Sequence, residues 1–245
     1  MRARKIWAIS IVAAVVTGSA MIAPAAYAVD FFQFCGMASN TGMTGIRGAR
    51  VNIERYNPRV ATQSSSAWSM ADNHAGSGSY AQVGWLELNS KSNNPYYFWE
   101  YADSTGFDLG PVFRDPVPNG GDYTGADDLF TVQYVSGDIK YRINGVVQAT
   151  TYNPDWTPDQ AEFHCEVHNG DPDTDPQIGG DSNHKVDFTN PAFYSMNDDL
   201  WHSFNPYGTN NTMYNTSEHG NWQKCQTNDD PKFFKVWDLR YNSLP

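Results

Sequence analysis

The segment 161–168 alternates apolar and titratable residues, and these residue types and their spacing could do acid–base chemistry. In a strand, successive side chains point to opposite faces, so the titratable ones share a face. Carboxyl and imidazole groups in such a row can act as general acid and base on the floor of a groove. The ordinary alternative is the solvent-facing side of an antiparallel sheet. The titratable residues of this row are Glu162, His164, Glu166 and His168.

The same row argues against a zinc site. Four residues apart in a strand, His164 and His168 are separated by roughly 13 Å, which is too far to share one ion. A second candidate is the acidic loop 169–183, although Pro176 stands where an EF-type calcium loop needs glycine. A solvated acidic loop remains the alternative there, and we expect neither a metal nor a cofactor. Its acidic residues are Asp171, Asp173, Asp175 and Asp181.

Two further runs could line the same groove. In the run 79–86, Gln82 and Gly84 share a face. Glycine inside a strand marks either close approach of a ligand or another backbone, or a β-bulge. The run 96–101 is aromatic except for Glu100. It could form the sandwich core with Glu100 on the surface, or the wall of a glycan or peptide cleft.

The elements that would position these residues are short strands. Gly137-Asp138 and Asn144-Gly145 are hairpin-turn dipeptides, and about a dozen alternating runs separated by turn residues predict an all-β, two-sheet antiparallel sandwich or jelly roll. The runs are 45–54, 67–72, 79–88, 96–102, 129–135, 138–144, 146–151, 161–168, 184–189, 199–204, 211–216 and 233–239. Turn residues cluster at 57–66, 73–79, 89–95, 103–110, 115–127, 153–160 and 169–183.

Residues 1–28 have the form of a secretory signal peptide, with a basic start, an apolar run and Ala26-Tyr27-Ala28 at the end. We therefore expect an extracellular protein with a single β-sandwich domain over 29–245. Its formal net charge of −11 disfavours nucleic acids and anionic membranes. We expect a monomer that acts on a polypeptide or a polysaccharide outside the cell.

The chain has 3 cysteines, which allow at most one internal disulfide. Cys165 lies on the apolar phase of its run, so we expect a buried free thiol. Cys35 and Cys225 lie near the two ends, and we expect them to be paired.

Four motifs resemble those of the eqolisin glutamic peptidases in order and rough spacing. That family reads approximately W-x-G-I-D-G, L-Q-x-G, Y-x-W-Y-E-W and A-E-W-I-x-E. The resemblance covers about residues 45–195, and uncharacterised secreted actinobacterial proteins are similar as well. The matching segments are Trp68-Ser69-Met70-Ala71-Asp72, Ala81-Gln82-Val83-Gly84, Tyr97-Phe98-Trp99-Glu100-Tyr101 and Ala161-Glu162-Phe163-His164-Cys165-Glu166.

The resemblance implies a concanavalin A-like β-sandwich and a catalytic pair of Gln82 and Glu162. The carboxylate would activate water and then protonate the leaving amine, while the amide would stabilise the oxyanion. Glu166 shares the face of Glu162 and could lead instead. The chain departs from the pattern at Asn73 and His164. Substrate contacts are expected from Trp68, Asp72, Tyr80, Trp99, Glu100 and His164.

Three functions therefore remain open. The first is a secreted, acid-acting glutamic-type endopeptidase. The second is a non-catalytic carbohydrate- or cell-wall-binding sandwich, and the third is a jelly-roll glycoside hydrolase, which would need two carboxylates about 5–5.5 Å apart in a retaining enzyme. The stacking surfaces of the second would be Trp85, Tyr97, Trp99 and Trp201.

Overall fold

The computed structural model contains strands, turns and loops but no helix in the part of the chain that it describes. The signal-peptide segment 1–28 and the acidic loop residues 171–177, 181 and 182 lie outside that part. No helix long and apolar enough to span a membrane occurs among the described residues. The described residues are 31–39, 45–58, 60, 64–73, 78–88, 95–112, 123–169, 178–180, 183–203, 211–214, 225–227 and 233–238.

The strands form two antiparallel sheets, so the predicted all-β sandwich is confirmed. The 7-stranded sheet has the order β13-β1-β10-β3-β4-β5-β6, and the 8-stranded sheet has the order β14-β15-β11-β2-β7-β8-β9, with β12 paired to β11. The first sheet comprises β1 (Phe31–Ser39), β3 (Ser64–Asp72), β4 (Tyr80–Leu88), β5 (Tyr96–Ala102), β6 (Phe107–Val112), β10 (Gln160–Asn169) and β13 (Asn211–Tyr214). The second comprises β2 (Ile46–Tyr56), β7 (Tyr123–Val135), β8 (Asp138–Ile143), β9 (Val146–Tyr152), β11 (Val186–Ser195), β12 (Leu200–Ser203), β14 (Cys225–Thr227) and β15 (Phe233–Asp238).

Alternating side chains from both sheets build one core between them. In β10, Ala161, Phe163, Cys165 and Val167 are fully buried, as the alternation predicts. Burying large aromatic and aliphatic side chains in this way is the dominant stabilising contribution of the sandwich. The largest fully buried side chains are Trp85, Tyr141, Phe130, Phe163, Phe188 and Phe234.

Two tight turns set the hairpins β7–β8 and β8–β9. Ser136 and Gly137 have φ angles of 56° and 88°, and Asn144 and Gly145 have φ angles of 51° and 80°. Positive φ at both central residues is the property of the primed turns that match strand twist. The second dipeptide was predicted correctly, whereas the first turn lies one residue earlier because Asp138 already belongs to β8.

Several strands extend into segments predicted as turns, and others were not predicted at all. Strand β6 lies within and beyond the predicted turn segment 103–110, β3 begins at Ser64, and β7 begins at Tyr123. Strands β1 and β14 were absent from the predicted runs. The composition of β6 was misleading because Gly110 and Pro111 are turn formers, yet both are tolerated in a strand at the edge of a sheet.

The cysteines are partitioned between the core and a disulfide. Cys35 is disulfide-bonded, and Cys165 is a buried free thiol. These two residues stand opposite each other on β1 and β10. Cys225 begins β14, and its pairing with Cys35 stays a prediction.

Candidate functional site

The outer face of the 7-stranded sheet carries a group of carboxyl side chains. Glu162 and Glu166 point away from the core because their neighbours in β10 are fully buried between the sheets. The same alternation in β4 and β5 puts Gln82 and Glu100 on this outer face. We call it the carboxyl face; its carboxyl groups are those of Asp72, Glu100, Glu162 and Glu166.

One cross-strand row contains the residues of the expected dyad. Glu162 is opposite Met70, which is opposite Gln82, which is opposite Glu100. Gln82 and Glu162 are thus separated by one strand, or about 10 Å between Cα atoms at the usual strand spacing. Long side chains can converge from these positions only above Met70.

Met70 is the site residue that sequence reasoning missed. It stands where the eqolisin pattern W-x-G-I-D-G has glycine, and its side chain is half-buried. It packs against an apolar cluster on the outer face, formed by Trp68, Leu86 and Phe98. The signal was available, because Met70 lies two positions from Trp68 and therefore shares its face.

Gln82 is held by a buried carboxyl group. Its Nε2 donates to Glu100 Oε2 at 3.0 Å, and the Tyr80 hydroxyl donates to the other oxygen of Glu100. Burial raises the pKa of Glu100 to about 7, against the lowering effect of these two hydrogen bonds. Since a glutamine amide has two N–H donors, one remains to bind a second acceptor.

Glu162 lies among other carboxyl groups. Its side chain is 13% exposed. Burial raises its pKa well above the ordinary value, and the charges of Asp72 and Glu166 raise it further. Asp72 is raised in pKa as well, by burial and then by the charge of Asp159. Such clustered carboxyl groups share protons, because ionising one opposes ionising the next.

His164 does not neutralise this cluster. Its ring is 1% exposed, stacks on Phe34 with the centroids 5.1 Å apart, and meets the Trp68 ring edge-on at 4.9 Å. Burial lowers the pKa of His164 to about 3. The imidazole 3.5 Å from Glu162 Oε2 is therefore neutral over most of the acidic range.

Glu166 is oriented by a tryptophan. The indole Nε1 of Trp68 donates to Glu166 Oε2 at 2.8 Å. Trp68 itself is 4% exposed, so it orients a carboxyl group from beneath. Among the residues with described side chains, no group of three or more His, Cys, Asp or Glu could hold a metal ion; the side chain of His168 lies outside them.

Gly84 marks close backbone approach and not a bulge. The pairing of β3 with β4 runs without a register shift. A Cβ on Gly84 would lie 2.0 Å from the Ala67 carbonyl oxygen and 2.7 Å from Trp68 Cα. Any larger residue would push β3 and the Trp68–Glu166 pair out of place.

Trp99 was expected to contact substrate, and this expectation is wrong. It alternates with Glu100 and so points inward, where its ring lies 5.2 Å from that of Tyr141. Tyr97 and Trp85 also face the core. Three of the four aromatic surfaces proposed for glycan stacking are therefore inside the sandwich. Only Trp201 lies on an outer face, that of the 8-stranded sheet.

Comparison with known proteins shows a shared fold. No family model matches the chain, and no curated protein matches it. A solved structure of a scytalido-glutamic peptidase with a transition state analog inhibitor matches with a TM-score of 0.58 and 10% identity. The match covers 84% of this chain and 98% of that chain.

A second solved structure agrees with the first. SCP-B, described as a member of the Eqolisin family of peptidases and solved in a complex with a tripeptide, matches with a TM-score of 0.53 and 10% identity. The match again covers 84% of this chain and 98% of that chain. The resemblance to eqolisins holds at the level of the fold, which is all that identities this low show.

Proposed function

We propose that this protein is a secreted endopeptidase that acts in acid and hydrolyses peptide bonds with carboxyl groups of the carboxyl face. The observation that carries the proposal is the row in which Glu162, Met70, Gln82 and Glu100 stand side by side. An acid–base group and an oriented amide then meet above one strand. The signal-peptide form of residues 1–28 supports the extracellular location.

Glu162 is the proposed acid–base group. As a carboxylate it takes a proton from water, which attacks the scissile carbonyl, and it then delivers that proton to the leaving amine. Its raised pKa suits the second step, because a protonated carboxyl group is the donor. We favour Glu162 over Glu166 because the Trp68 indole already occupies Glu166.

Gln82 is the proposed oxyanion donor. Glu100 accepts one of its N–H groups, and the second can donate to the oxygen on which negative charge develops. Glu100 and Tyr80 then act as positioning residues for the amide. A carbonyl that reaches both Gln82 and Glu162 must lie over Met70, whose side chain would form the floor of the subsite.

The test is casein digestion by the purified protein between about pH 3 and pH 6, a range that spans the ordinary Glu pKa of about 4.3 and values above it. Glu162→Gln is expected to lower the rate by about 10²–10⁴, the usual contribution of general acid–base catalysis. Gln82→Ala is expected to cost about 10²–10³, as for an oxyanion donor.

Glu87→Gln is the matched control. Glu87 is 3% exposed and its pKa is raised to about 7 by burial, but it shares the core-facing alternation of Val83 and Trp85. This variant should digest casein at the wild-type rate. Wild-type protein inert on several protein substrates would refute the proposal. Loss of activity in Glu166→Gln but not in Glu162→Gln would give Glu166 the leading role.

A further inference from the structure

A group of cations lies on the opposite side of the molecule, on the outer face of the 8-stranded sheet. Two adjacent cross-strand rows run over β11, β2, β7, β8 and β9. Arg50 is opposite Thr131, which is opposite Arg142. The next row runs from Trp201 through Tyr194, Gly48 and Gln133 to Lys140. We call these two rows the basic strip.

The side chains of the basic strip support one another. The guanidinium of Arg50 lies 4.4 Å above the centre of the Trp201 ring, and the Tyr194 ring is 5.2 Å from the same ring. Arg142 donates to Gln133 Oε1 at 2.8 Å. Guanidinium groups held flat by a ring or an amide present a preorganised fork to an anion.

The charge of the strip is unusual for this chain. The sequence has 16 Lys and Arg against 27 Asp and Glu, yet neither row contains an acidic residue at any described position. Acidic side chains on this face lie beyond the strip, at Asp138, Asp127 and Asp187. The last is already paired with Lys235 at 2.7 Å.

We propose that the basic strip binds an anionic polysaccharide. From Trp201 to Lys140 the strip crosses four strand spacings, roughly 20 Å, which fits several sugar units of an extended chain. The guanidinium groups would bind carboxylate or sulfate groups, Gln133 could bond hydroxyl groups, and Trp201 offers apolar ring surface. Gly48, without a side chain between Tyr194 and Gln133, leaves a shallow trough in the middle.

An acidic peptide fits this surface less well. Strands β2 and β7 are paired on both edges, so the face presents no free backbone N–H or C=O groups. A peptide could not add a strand there and would have only its charged side chains to bind. Because the two outer faces point in opposite directions, a polysaccharide on the basic strip would leave the carboxyl face open. This inference does not depend on the proposed peptidase activity.

Affinity electrophoresis of the purified protein tests the proposal. Native gels would contain polygalacturonate, dextran sulfate, neutral dextran or poly-glutamate. Retardation by polygalacturonate or dextran sulfate, weakening with added salt, is expected, and the stronger of the two identifies the anion. No retardation by either polyanionic sugar, or equal retardation by neutral dextran or poly-glutamate, would overturn the proposal.

Variants localise the effect. The double variant Arg50→Gln, Arg142→Gln should bind at least about tenfold more weakly, the effect of losing 1.4 kcal/mol. Trp201→Ala should weaken binding to the sugars as well. Lys235→Gln removes the same charge from the same face outside the strip and should change affinity less than about twofold, within 0.4 kcal/mol. A loss in Lys235→Gln as large as in the double variant would show a mere net-charge effect and refute the site.

Discussion

Two groups of carboxyl side chains in this molecule are buried to a similar degree and behave in opposite ways. Asp128 lies between the sheets, where Arg55 binds both of its oxygens, the Tyr97 hydroxyl donates to one, and Asn144 Nδ2 donates at 2.7 Å. Burial alone would raise the pKa of Asp128, but Arg55 and the other donors hold it below the ordinary value.

The carboxyl face has the burial without the compensation. The pKa of Glu162 is raised by burial and by Asp72 and Glu166, and no described cation lies in the row to offset it. The comparison teaches that partners, and not burial, decide the direction of the shift. Asp128 joins β2, β5 and β7 and serves stability. Uncompensated carboxyl groups that share protons are a feature of sites that do chemistry.

The largest stability effect is expected at Asp128. Asp128→Asn removes the charge that faces Arg55 and leaves a partly buried cation, which costs about 3 kcal/mol in the free energy of unfolding. Urea denaturation at pH 7 measures it. A change below about 0.5 kcal/mol, as is usual for surface substitutions, would show that the network contributes little.

The two groups should also set the two limbs of the pH–stability curve. Glu100, with its pKa raised to about 7, and Asp72 and Glu162, with raised pKa values, keep protons in the folded state that the unfolded chain releases above about pH 4. Folding therefore binds protons, and stability rises as the pH falls from about 7 toward 5.

Below that range the sign reverses. Asp128 has a lowered pKa and His164 a pKa of about 3, so the unfolded chain takes up protons that the folded protein does not, and stability falls. His164 already opposes the carboxyl groups below its ordinary value of about 6.5, but one imidazole acts against several carboxyl groups. We expect maximal stability at about pH 4–5. Thermal melts across pH 2–8 check it, and a maximum above pH 7 would contradict the assignment.

Much of the carboxyl face could be predicted from the sequence, because alternation is local. The side-chain directions in β10 and β4 follow from period two, and this put Gln82 and Glu162 on one side each. Trp99 was misplaced because the aromatic run was treated as a composition, although alternation with Glu100 would have turned it inward.

The Asp128 network could not be predicted in the same way. Asp128 is 73 residues from Arg55 and 31 from Tyr97 in the chain. Their contact depends on which strands are neighbours and on how the two sheets face each other. Nothing in one sequence reports those pairings, whereas within one strand the geometry is set by the backbone itself.

A smaller effect of opposite sign is expected at Glu162. Glu162→Gln removes repulsion with Asp72 and Glu166, so the protein should be more stable at pH 7 by on the order of 1 kcal/mol for each repulsion lost. The gain should vanish near pH 4, where the unfolded carboxyl groups are protonated too. Urea midpoints at the two pH values measure it, with Glu87→Gln beside it to show the effect of removing a buried carboxyl group elsewhere. Destabilisation at pH 7 would mean that Glu162 has a compensating partner.

The smallest effect is expected at an ion pair that also joins two strands but lies on the surface. Lys235 on β15 and Asp187 on β11 are opposite each other, with Nζ 2.7 Å from the carboxyl oxygen. Their side chains are 36% and 27% exposed, so water screens the attraction, and Lys235→Met should cost only about 0.2–1 kcal/mol. The length of this pair is close to that of Arg55 with Asp128, so the difference between the two variants isolates burial and additional donors. Urea denaturation at low and high salt would measure it, with the Lys235 effect shrinking in salt and the Asp128 effect persisting. A Lys235→Met loss as large as that of Asp128→Asn would mean that distance alone, and not the surrounding partners, determines what a carboxyl group contributes here.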